Sequence, residues 1–254
     1  MTTPTFHRRP LPADLVDFGS DTGRLWLAEA LREGTAQAFF ALVAHLHTQA
    51  EPAWCGFGTL VTVLNALEID PGRTWKGQWR FFGEELLVCC KSLELAAAEG
   101  LSLREVACLA SCNGARVSLC QADAGSEPQF RAELEASVRA LQGPFLVANY
   151  ARTGLGQTGS GHFSPLAAWH RSSDHVLVLD VARFKYPPHW VPVERLWQAM
   201  ATRDDRNGQL RGWLGISRPT RAADTLAWPV GAEELAERLA ALGAPICALP
   251  PRPA

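Results

Sequence analysis

The chain has 254 residues, a formal net charge of −2 and a hydrophobic fraction of 47%. Such a composition can bury a large core, which excludes a mainly disordered chain. The near-neutral balance gives no electrostatic footprint for nucleic acid or for an anionic membrane surface. No apolar run approaches the ~20 residues of a membrane span, and the first residues lack the apolar stretch of a secretory signal, so we expect a cytoplasmic protein.

The first half of the chain is predicted to be mostly helical. Apolar residues recur at helical spacing in several segments, and Asp21 is a possible N-cap of the first. The predicted helices cover residues 21–31, 35–47, 55–67, 86–99, 103–109 and 128–141, and one strand covers 116–121.

The second half changes character and is predicted to carry a sheet. Strand patterns cover residues 145–150, 163–169, 176–181 and 212–216, with a helix at 193–200 between the last two. The sequence after residue 218 is rich in Ala and Pro and predicts one helix around 233–242. We therefore expect an α+β domain over residues 1–218, helical half first, and a short tail over 219–254.

A literal G-x-G-x-x-G motif spans residues 154–159. A dinucleotide site requires a helix directly after the glycines. Here a strand-like stretch with Pro165 follows instead. We therefore interpret the glycines as a flexible loop beside a site.

His162 and Asp180 are predicted to face each other across a hairpin. If the hairpin turns near Arg171, opposed positions sum to 342, and 162 + 180 meets that condition. A carboxylate there would fix the imidazole tautomer and stabilise its protonated form. Taken alone, the spacing is more typical of a surface His–Asp pair across a hairpin than of a functional pair.

Cys55 opens a predicted helix after a loop that contains Pro52. A helix N-terminus favours thiolate over thiol. Gln49 precedes it in that loop and could donate, with the Cys55 amide N–H, to an oxyanion. The chain order Gln, Cys, His, Asp is that of papain-like enzymes, with the nucleophile in a helical half and the base in an antiparallel sheet half.

The seven cysteines are odd in number, which predicts free thiols rather than a disulfide framework. Four of them lie close in sequence: Cys89, Cys90, Cys108 and Cys112. Soft thiolates suit Zn, Cd or Cu(I), but the C-x₂-C spacing of a structural zinc site is missing. Buried structural cysteines and a metal-thiolate sensing role both stay open.

Four basic residues are expected to be solvated charges unless a site includes them. They are Arg152, Lys185, Arg203 and Arg211.

Four long motifs together resemble the phytochelatin synthase family. They cover residues 49–56 (QAEPAWCG), 64–80 (LNALEIDPGRTWKGQWR), 159–165 (GSGHFSP) and 179–192 (LDVARFKYPPHWVP). The resemblance extends from about His7 to Arg218. It implies a papain-like γ-glutamylcysteine dipeptidyl transpeptidase, which releases Gly from glutathione and passes γ-Glu-Cys to another glutathione or to a growing phytochelatin.

The resemblance also implies roles for individual residues. Cys55 matches the nucleophile, His162 the general base and acid, Asp180 its orienting partner and Gln49 the oxyanion-hole residue. Positions that hold the γ-glutamyl part of the acyl-enzyme match Asn149, Gly161, Asp204 and Arg211. The four clustered cysteines match cysteines of the family without a defined role.

The sequence after Arg218 departs from the long Cys-rich extension of plant and yeast members, so hydrolysis of glutathione is an alternative to transfer. A general cysteine protease and a non-catalytic thiol metal-binding protein are further alternatives. Cofactors are not expected for acyl-enzyme formation; heavy metal (Cd, Zn or Cu) would enter as the metal–glutathione thiolate. Expected partners are glutathione and phytochelatin oligomers, with a homodimer possible.

Overall fold

A computed structural model describes residues 7–219. The helices are α1 (Asp21–Glu33), α2 (Gln37–Ala44), α3 (Cys55–Ala66), α4 (Leu93–Glu99), α5 (Leu103–Cys112), α6 (Glu127–Val138) and α7 (Val193–Met200). The strands are β1 (Val16–Asp17), β2 (Arg116–Gln121), β3 (Phe145–Ala151), β4 (Gly161–His170), β5 (His175–Val178), β6 (His189–Pro192) and β7 (Gly212–Ser217). Two short 3₁₀ helices cover Glu84–Leu86 and Arg152–Leu155.

The seven strands within residues 7–219 form one antiparallel sheet in the order β1-β6-β5-β4-β3-β7-β2. Side chains alternate between the two faces of a strand, and β3 divides its residues in this way between two cores. Phe145 and Val147 pack in the core that includes α3 and α5, whereas Leu146, Ala148 and Tyr150 pack in the core that includes α6 and α7. The sheet is therefore covered on both faces.

Helix α3 is the central element of the first core. Every residue from Cys55 to Ala66 is buried, which explains why apolar residues are not confined to one face of this segment. Glycines let its neighbours approach closely. A Cβ on Gly56 would lie 2.7 Å from Leu101, and a Cβ on Gly58 would lie 3.1 Å from the Cβ of Gln49. Ordinary side chains at both positions would force the surrounding segments apart.

Most of the predicted elements are confirmed, but one helix is wrong. Residues 86–99 divide into the end of a 3₁₀ turn, an irregular stretch with both Cys89 and Cys90, and α4, which begins after the N-cap Ser92. Ser92 accepts a hydrogen bond from the backbone of Leu95, and this cap fixes the start of the helix. The first N-cap is Ser20 rather than Asp21. The short strands β1 and β6 were not predicted. They form because β6 pairs with β1 and with β5, and these pairings leave no local pattern in the sequence.

The α+β class is confirmed, with Cys55 in the helical half and His162 on the antiparallel sheet. No helix within residues 7–219 is long and apolar enough to cross a membrane. The helix predicted around 233–242, and nearly all of the tail predicted over 219–254, lie outside the described residues.

Candidate active site

The thiol of Cys55 lies at the first position of α3. The loop before it is exposed from Glu51 to Pro52, and the helix begins directly after Trp54. Because the first amide N–H groups of a helix have no acceptor within the helix, they remain able to bind an anion. The Cys55 side chain is 8% exposed, on the wall of a cavity. The sequence thus places a sheltered thiol beside free backbone donors.

His162 and Asp180 are hydrogen bonded, but not through the predicted register. Nε2 of His162 lies 2.8 Å from Oδ1 of Asp180. The β4–β5 pairs sum to 345, as in His170 with His175, and a bulge changes this to 344 at Leu166. Asp180 lies two residues beyond the end of β5 rather than within a strand. Its carboxylate therefore reaches His162 from the segment that follows the strand.

Arg152 is the site residue that sequence reasoning missed. Its guanidinium is 3% exposed, so the expectation of a solvated charge is wrong. Nη2 lies 2.9 Å from both Oδ1 of Asp180 and Nε2 of His162, and Nη1 forms an ion pair with Oδ2 at 2.9 Å. The backbone N–H of Ala182 also donates to Oδ1 at 2.9 Å. Asp180 is thus a fully buried carboxylate that the cation and the donors keep ionised.

No sequence signal distinguishes Arg152 from the other basic residues. It directly follows β3, and the loop after it folds back so that Gln157 accepts from Nη1 at 2.5 Å. Gln157 in turn lies 2.9 Å from Nε2 of the buried His189, whose Nδ1 faces the Pro187 carbonyl at 2.8 Å. Burial lowers the pKa of His189, so this imidazole is neutral and accepts from the Gln157 amide. That acceptor orients Gln157 toward Arg152.

The electrostatics of the site favour a thiolate–imidazolium pair. Burial alone would raise the pKa of Cys55, but the charge of His162, its hydrogen bond and the charge of Arg152 lower it overall. Burial and Arg152 would lower the pKa of His162, yet Asp180 and Cys55 raise it overall. Burial would also raise the pKa of Asp180, and the two neighbouring cations hold it well below its usual range. Since an ionised carboxylate only accepts, His162 donates through Nε2, which leaves Nδ1 for Cys55.

Gln49 is buried against the first turns of α3, where it lies next to Gly58, and its amide is directed onto its own loop. Nε2 donates to the carbonyls of Glu51 at 2.7 Å and Pro52 at 2.9 Å, while Oε1 is buried with no hydrogen-bond partner in the described part of the chain. Donation to an oxyanion therefore requires one amide hydrogen to leave a loop carbonyl. The Cys55 amide N–H at the start of α3 needs no such change.

One cavity of about 1050 Å³ is lined by Cys55 and His162 and by the four residues expected to bind substrate. Asn149 shares the face of β3 that carries Phe145 and Val147, so it reaches the α3 side of the sheet. Its Nδ2 donates to the backbone carbonyl of His162 at 3.3 Å. A Cβ on Gly161 would lie 2.3 Å from Nη1 of Arg211, so only glycine admits the guanidinium there.

Arg211 and Asp204 form a buried pair of opposite charges in the same cavity. Nη1 of Arg211 lies 3.5 Å from Oδ2 of Asp204, and both residues are at most 5% exposed. Nε of Arg211 is buried without a hydrogen-bond partner among residues 7–219, which leaves it a donor for an anion. Burial would raise the pKa of Asp204, but hydrogen bonds from Arg206 and the charge of Arg211 lower it overall. The pair offers an ionised carboxylate and a guanidinium side by side.

The cysteine cluster lies behind another part of the cavity wall. Cys90 and Cys108 form a disulfide, so the expectation of free thiols at these two positions is wrong. Sequence counting could not find it, because the pairing depends on α5 lying against the irregular 87–92 stretch. Sγ of Cys90 is also 3.4 Å from Sγ of Cys112 and 3.9 Å from that of Cys89. Lys91, next to Cys90, lines the cavity.

The site has the arrangement of papain-type cysteine acyl-transfer enzymes: a cysteine at a helix N-terminus, a histidine on an adjacent antiparallel sheet and an aspartate behind the histidine. A family model described as "Phytochelatin synthase" matches residues 6–213. The chain belongs to the phytochelatin synthase family.

Similar curated proteins come from plants and yeast. Glutathione gamma-glutamylcysteinyltransferase 1 of Triticum aestivum is 48% identical over 227 residues, which is 89% of this chain and 45% of the relative. The Arabidopsis thaliana protein of the same name is 45% identical over 222 residues, 87% of this chain and 46% of that protein. Glutathione gamma-glutamylcysteinyltransferase of Schizosaccharomyces pombe is 40% identical over 211 residues, 83% of this chain and 50% of that protein. The chain thus spans about half the length of these relatives.

Among solved structures, a double glycine motif protease from an AMS/PCAT transporter in complex with the leader peptide is similar to this chain. The TM-score is 0.36 at 15% sequence identity, over 68% of this chain and 91% of that chain. This similarity is too weak to support an argument.

Proposed function

We propose that the chain is a γ-glutamylcysteine dipeptidyl transpeptidase that makes phytochelatins from glutathione. The main support for this function is that one cavity is lined by both the Cys55–His162 pair and the Asp204–Arg211 pair. The γ-glutamyl end of glutathione presents an α-ammonium and an α-carboxylate, which an ionised carboxylate and a guanidinium complement. The names of the plant and yeast relatives support the same substrate. A catalytic domain over residues 1–218 is part of the proposal.

Acylation begins with the Cys55 thiolate. Sγ forms a bond to the Cys–Gly carbonyl carbon of glutathione, and the carbonyl electron pair moves to oxygen. The Cys55 amide N–H and one amide hydrogen of Gln49 bind that oxyanion. The intermediate collapses, the C–N bond breaks, and protonated His162 gives its proton to the departing glycine. A γ-Glu-Cys thioester on Cys55 remains.

Deacylation reverses the proton transfer. His162 takes a proton from the acceptor amine of a second glutathione, or of a phytochelatin, as that nitrogen attacks the thioester. Asp180, held by Arg152, stabilises the imidazolium that forms. Ligand pockets usually measure about 300–1,000 Å³, so a cavity of about 1050 Å³ has room for the acceptor beside the acyl group. Water in place of that amine gives the alternative, a glutathione hydrolase that releases γ-Glu-Cys and Gly.

Heavy metal enters this proposal as part of the substrate, the metal–glutathione thiolate. The cysteine cluster is a separate candidate for metal. Sulfur atoms of Cys89, Cys90 and Cys112 lie within 4.8 Å of one another, which suits a soft cation. The residues fit only in part, because Cys90 must leave its disulfide with Cys108 before it offers a thiolate. The hydrogen bond between the thiols of Cys89 and Cys112 raises the pKa of Cys89 and lowers that of Cys112, so the pair favours one thiolate rather than two.

A cytoplasmic location and a homodimer belong to the proposal as well. A reducing compartment keeps the buried Cys55 as a free thiol. The Cys90–Cys108 disulfide favours the opposite environment, since cytosolic disulfides are rare and usually redox-active. Mass measurement in solution with and without reductant tests the oligomeric state, and fractionation of cells tests the location.

The function is tested by incubating the purified protein with glutathione, with and without Cd²⁺, and resolving the products by mass. (γ-Glu-Cys)₂-Gly, absent with Cys55→Ser, supports transpeptidation. If γ-Glu-Cys and Gly are the only products, the protein is a glutathione hydrolase. Cleavage of ordinary peptides would indicate a general cysteine protease. No turnover together with stoichiometric Cd²⁺ binding by Cys55→Ser would overturn the enzyme in favour of a non-catalytic metal-binding protein.

A further inference from the structure

Glu84 is a buried carboxylate that the reaction above does not use. It begins the 3₁₀ turn Glu84–Leu86 and is 5% exposed. Both of its oxygens accept from the backbone N–H of Ala50, at 3.3 and 3.2 Å. Nε2 of His47 is its other neighbour, at 3.5 Å from Oε1. Burying an acidic side chain costs free energy, and a hydrogen bond to one backbone amide offsets only part of that cost.

That amide lies next to Gln49. The backbone N–H of Gln49 donates to the Val181 carbonyl at 3.0 Å, in the segment that follows Asp180. The next N–H, of Ala50, donates to Glu84. Hydrogen bonds thus hold the peptide groups on both sides of the Gln49 Cα, which fixes φ and ψ at that residue. Thr48 and Ala50 are exposed, whereas Gln49 is buried, so the two anchors decide which side chain of the loop points inward.

Glu84 is itself fixed to the helix that carries the nucleophile. Asn65, on α3, donates from Nδ2 to the Phe82 carbonyl and accepts from the Phe82 N–H through Oδ1, both at 3.0 Å. Phe82 is two residues before Glu84. The contacts therefore run from α3 through Asn65 and Phe82 to Glu84, and from there to the loop of Gln49. This path therefore links the helix that begins at Cys55 to the loop that carries Gln49.

We infer that Glu84 is a positioning residue for the oxyanion-binding amide of Gln49. The inference deepens the proposed function, since it rests on acyl transfer through Cys55. Without the Ala50 hydrogen bond, Gln49 loses one of the two backbone hydrogen bonds that flank it, and its amide no longer meets the developing oxyanion. The thiolate itself is unaffected, because Glu84 contacts neither Cys55 nor His162 among the described residues.

Two small electrophiles separate these effects and require no glutathione. With 4-nitrophenyl acetate, Cys55 attacks the ester carbonyl, an oxyanion develops, and 4-nitrophenolate leaves. With iodoacetamide, Sγ displaces iodide at a saturated carbon and no oxyanion forms. The ratio of the two rate constants measures oxyanion stabilisation apart from thiolate reactivity. Both rates are measured on the Cys55-dependent phase, with Cys55→Ser as blank.

Glu84→Leu fills the space but offers no acceptor, and Glu84→Asp keeps the charge but withdraws the carboxylate. Loss of an oxyanion donor costs about 100- to 1000-fold in rate, so a misplaced donor should cost about 10-fold or more with the ester. Alkylation should change by less than about threefold, since thiolate reactivity depends on Cys55 and His162. Glu84→Gln keeps a carbonyl acceptor and should restore the ester rate to within about threefold of wild type.

The decisive comparison is the double variant with Gln49→Ala. If Glu84 acts through Gln49, Glu84→Leu should add less than about threefold once Gln49 is removed. Thr35→Val is the matched control: it removes a buried hydroxyl whose hydrogen bonds go to the Ala30 and Trp169 carbonyls rather than to the loop of Gln49, and it should leave the ester rate unchanged. The inference would be overturned if the rate loss of the double variant equalled the product of the losses from Glu84→Leu and Gln49→Ala. It would also be overturned if Glu84→Leu lowered the rates with the ester and with iodoacetamide equally. Absence of glutathione turnover by the wild type would overturn the proposed function alone.

Discussion

Replacing Arg152 by Met should move both limbs of the pH profile to higher pH. The charge of Arg152 lowers the pKa of Cys55 and also that of His162. Its removal therefore raises both. The acid limb follows ionisation of the thiol, and the alkaline limb follows loss of the imidazolium proton. The active form, a thiolate beside an imidazolium, thus occurs over a more alkaline range.

The size of the shift follows from the geometry. The guanidinium and imidazole nitrogens are 2.9 Å apart, and at an effective dielectric constant of about 20 two charges at that distance interact by about 6 kcal/mol, or about 4 pKa units. Both charges are delocalised; with an effective separation of about 5 Å the figure falls to about 2 units. We expect a shift of about 1 to 2 units for His162, and a smaller one for Cys55, whose largest stabilising partner is His162 itself.

Removing the cation also leaves Asp180 buried with one partner fewer, which should cost about 3–5 kcal/mol of stability. Domains of this size are stable by about 5–15 kcal/mol, so the variant should remain folded at 25 °C. The assay is iodoacetamide alkylation of Cys55 and kcat/KM for glutathione between pH 5 and 10, with Arg152→Lys as the control that keeps the charge. Limbs that stay in place, or that move to lower pH, would refute the electrostatic role.

Three further predictions concern other parts of the site and its frame. Gly161→Ala should raise the KM for glutathione about tenfold, because the added methyl group meets Nη1 of Arg211 at 2.3 Å and its displacement costs about 1–3 kcal/mol; steady-state kinetics with an unchanged KM would contradict this. Dithiothreitol should lower the free energy of unfolding by about 2–4 kcal/mol, since the Cys90–Cys108 disulfide closes a loop of 18 residues; urea titration of Cys90→Ser should give the same loss and no response to reductant. Asp180 has a pKa far below its ordinary value, so it contributes stability above pH ~4 that is lost as pH falls further; Asp180→Asn should remove that part of the acid dependence, and an unchanged acid limb of the unfolding curve would exclude it.

The sequence by itself determined much of the architecture. Apolar spacing predicted the helix that begins at Cys55, and α3 begins at that residue. Alternation predicted strand β2, and apolar strand patterns predicted β3 to β5 and β7. The helix predicted over 193–200 agrees with α7 residue for residue. These elements are predictable because each repeats its own burial pattern over one or two turns or several strand positions. The order of Gln49, Cys55, His162 and Asp180 also predicted which elements contribute to the site.

Only the tertiary structure decided the connections within that site. The contact of Asp180 with His162 depends on a bulge in β4 and on the segment after β5, which a symmetric hairpin does not anticipate. The Cys90–Cys108 disulfide depends on an irregular stretch where a helix was predicted. Such features have no sequence period, because they arise from segments distant along the chain.

The burial of Arg152 and Glu84 likewise could not be predicted from the sequence. A basic or acidic residue is normally solvated, so the local sequence gives no reason to place either inside. Arg152 is buried because Asp180, 28 residues away, lies within 2.9 Å of its guanidinium. Glu84 is buried because a loop 34 residues earlier directs the N–H of Ala50 at it. Desolvation opposes both placements, and only the partners that the folded chain brings together offset it.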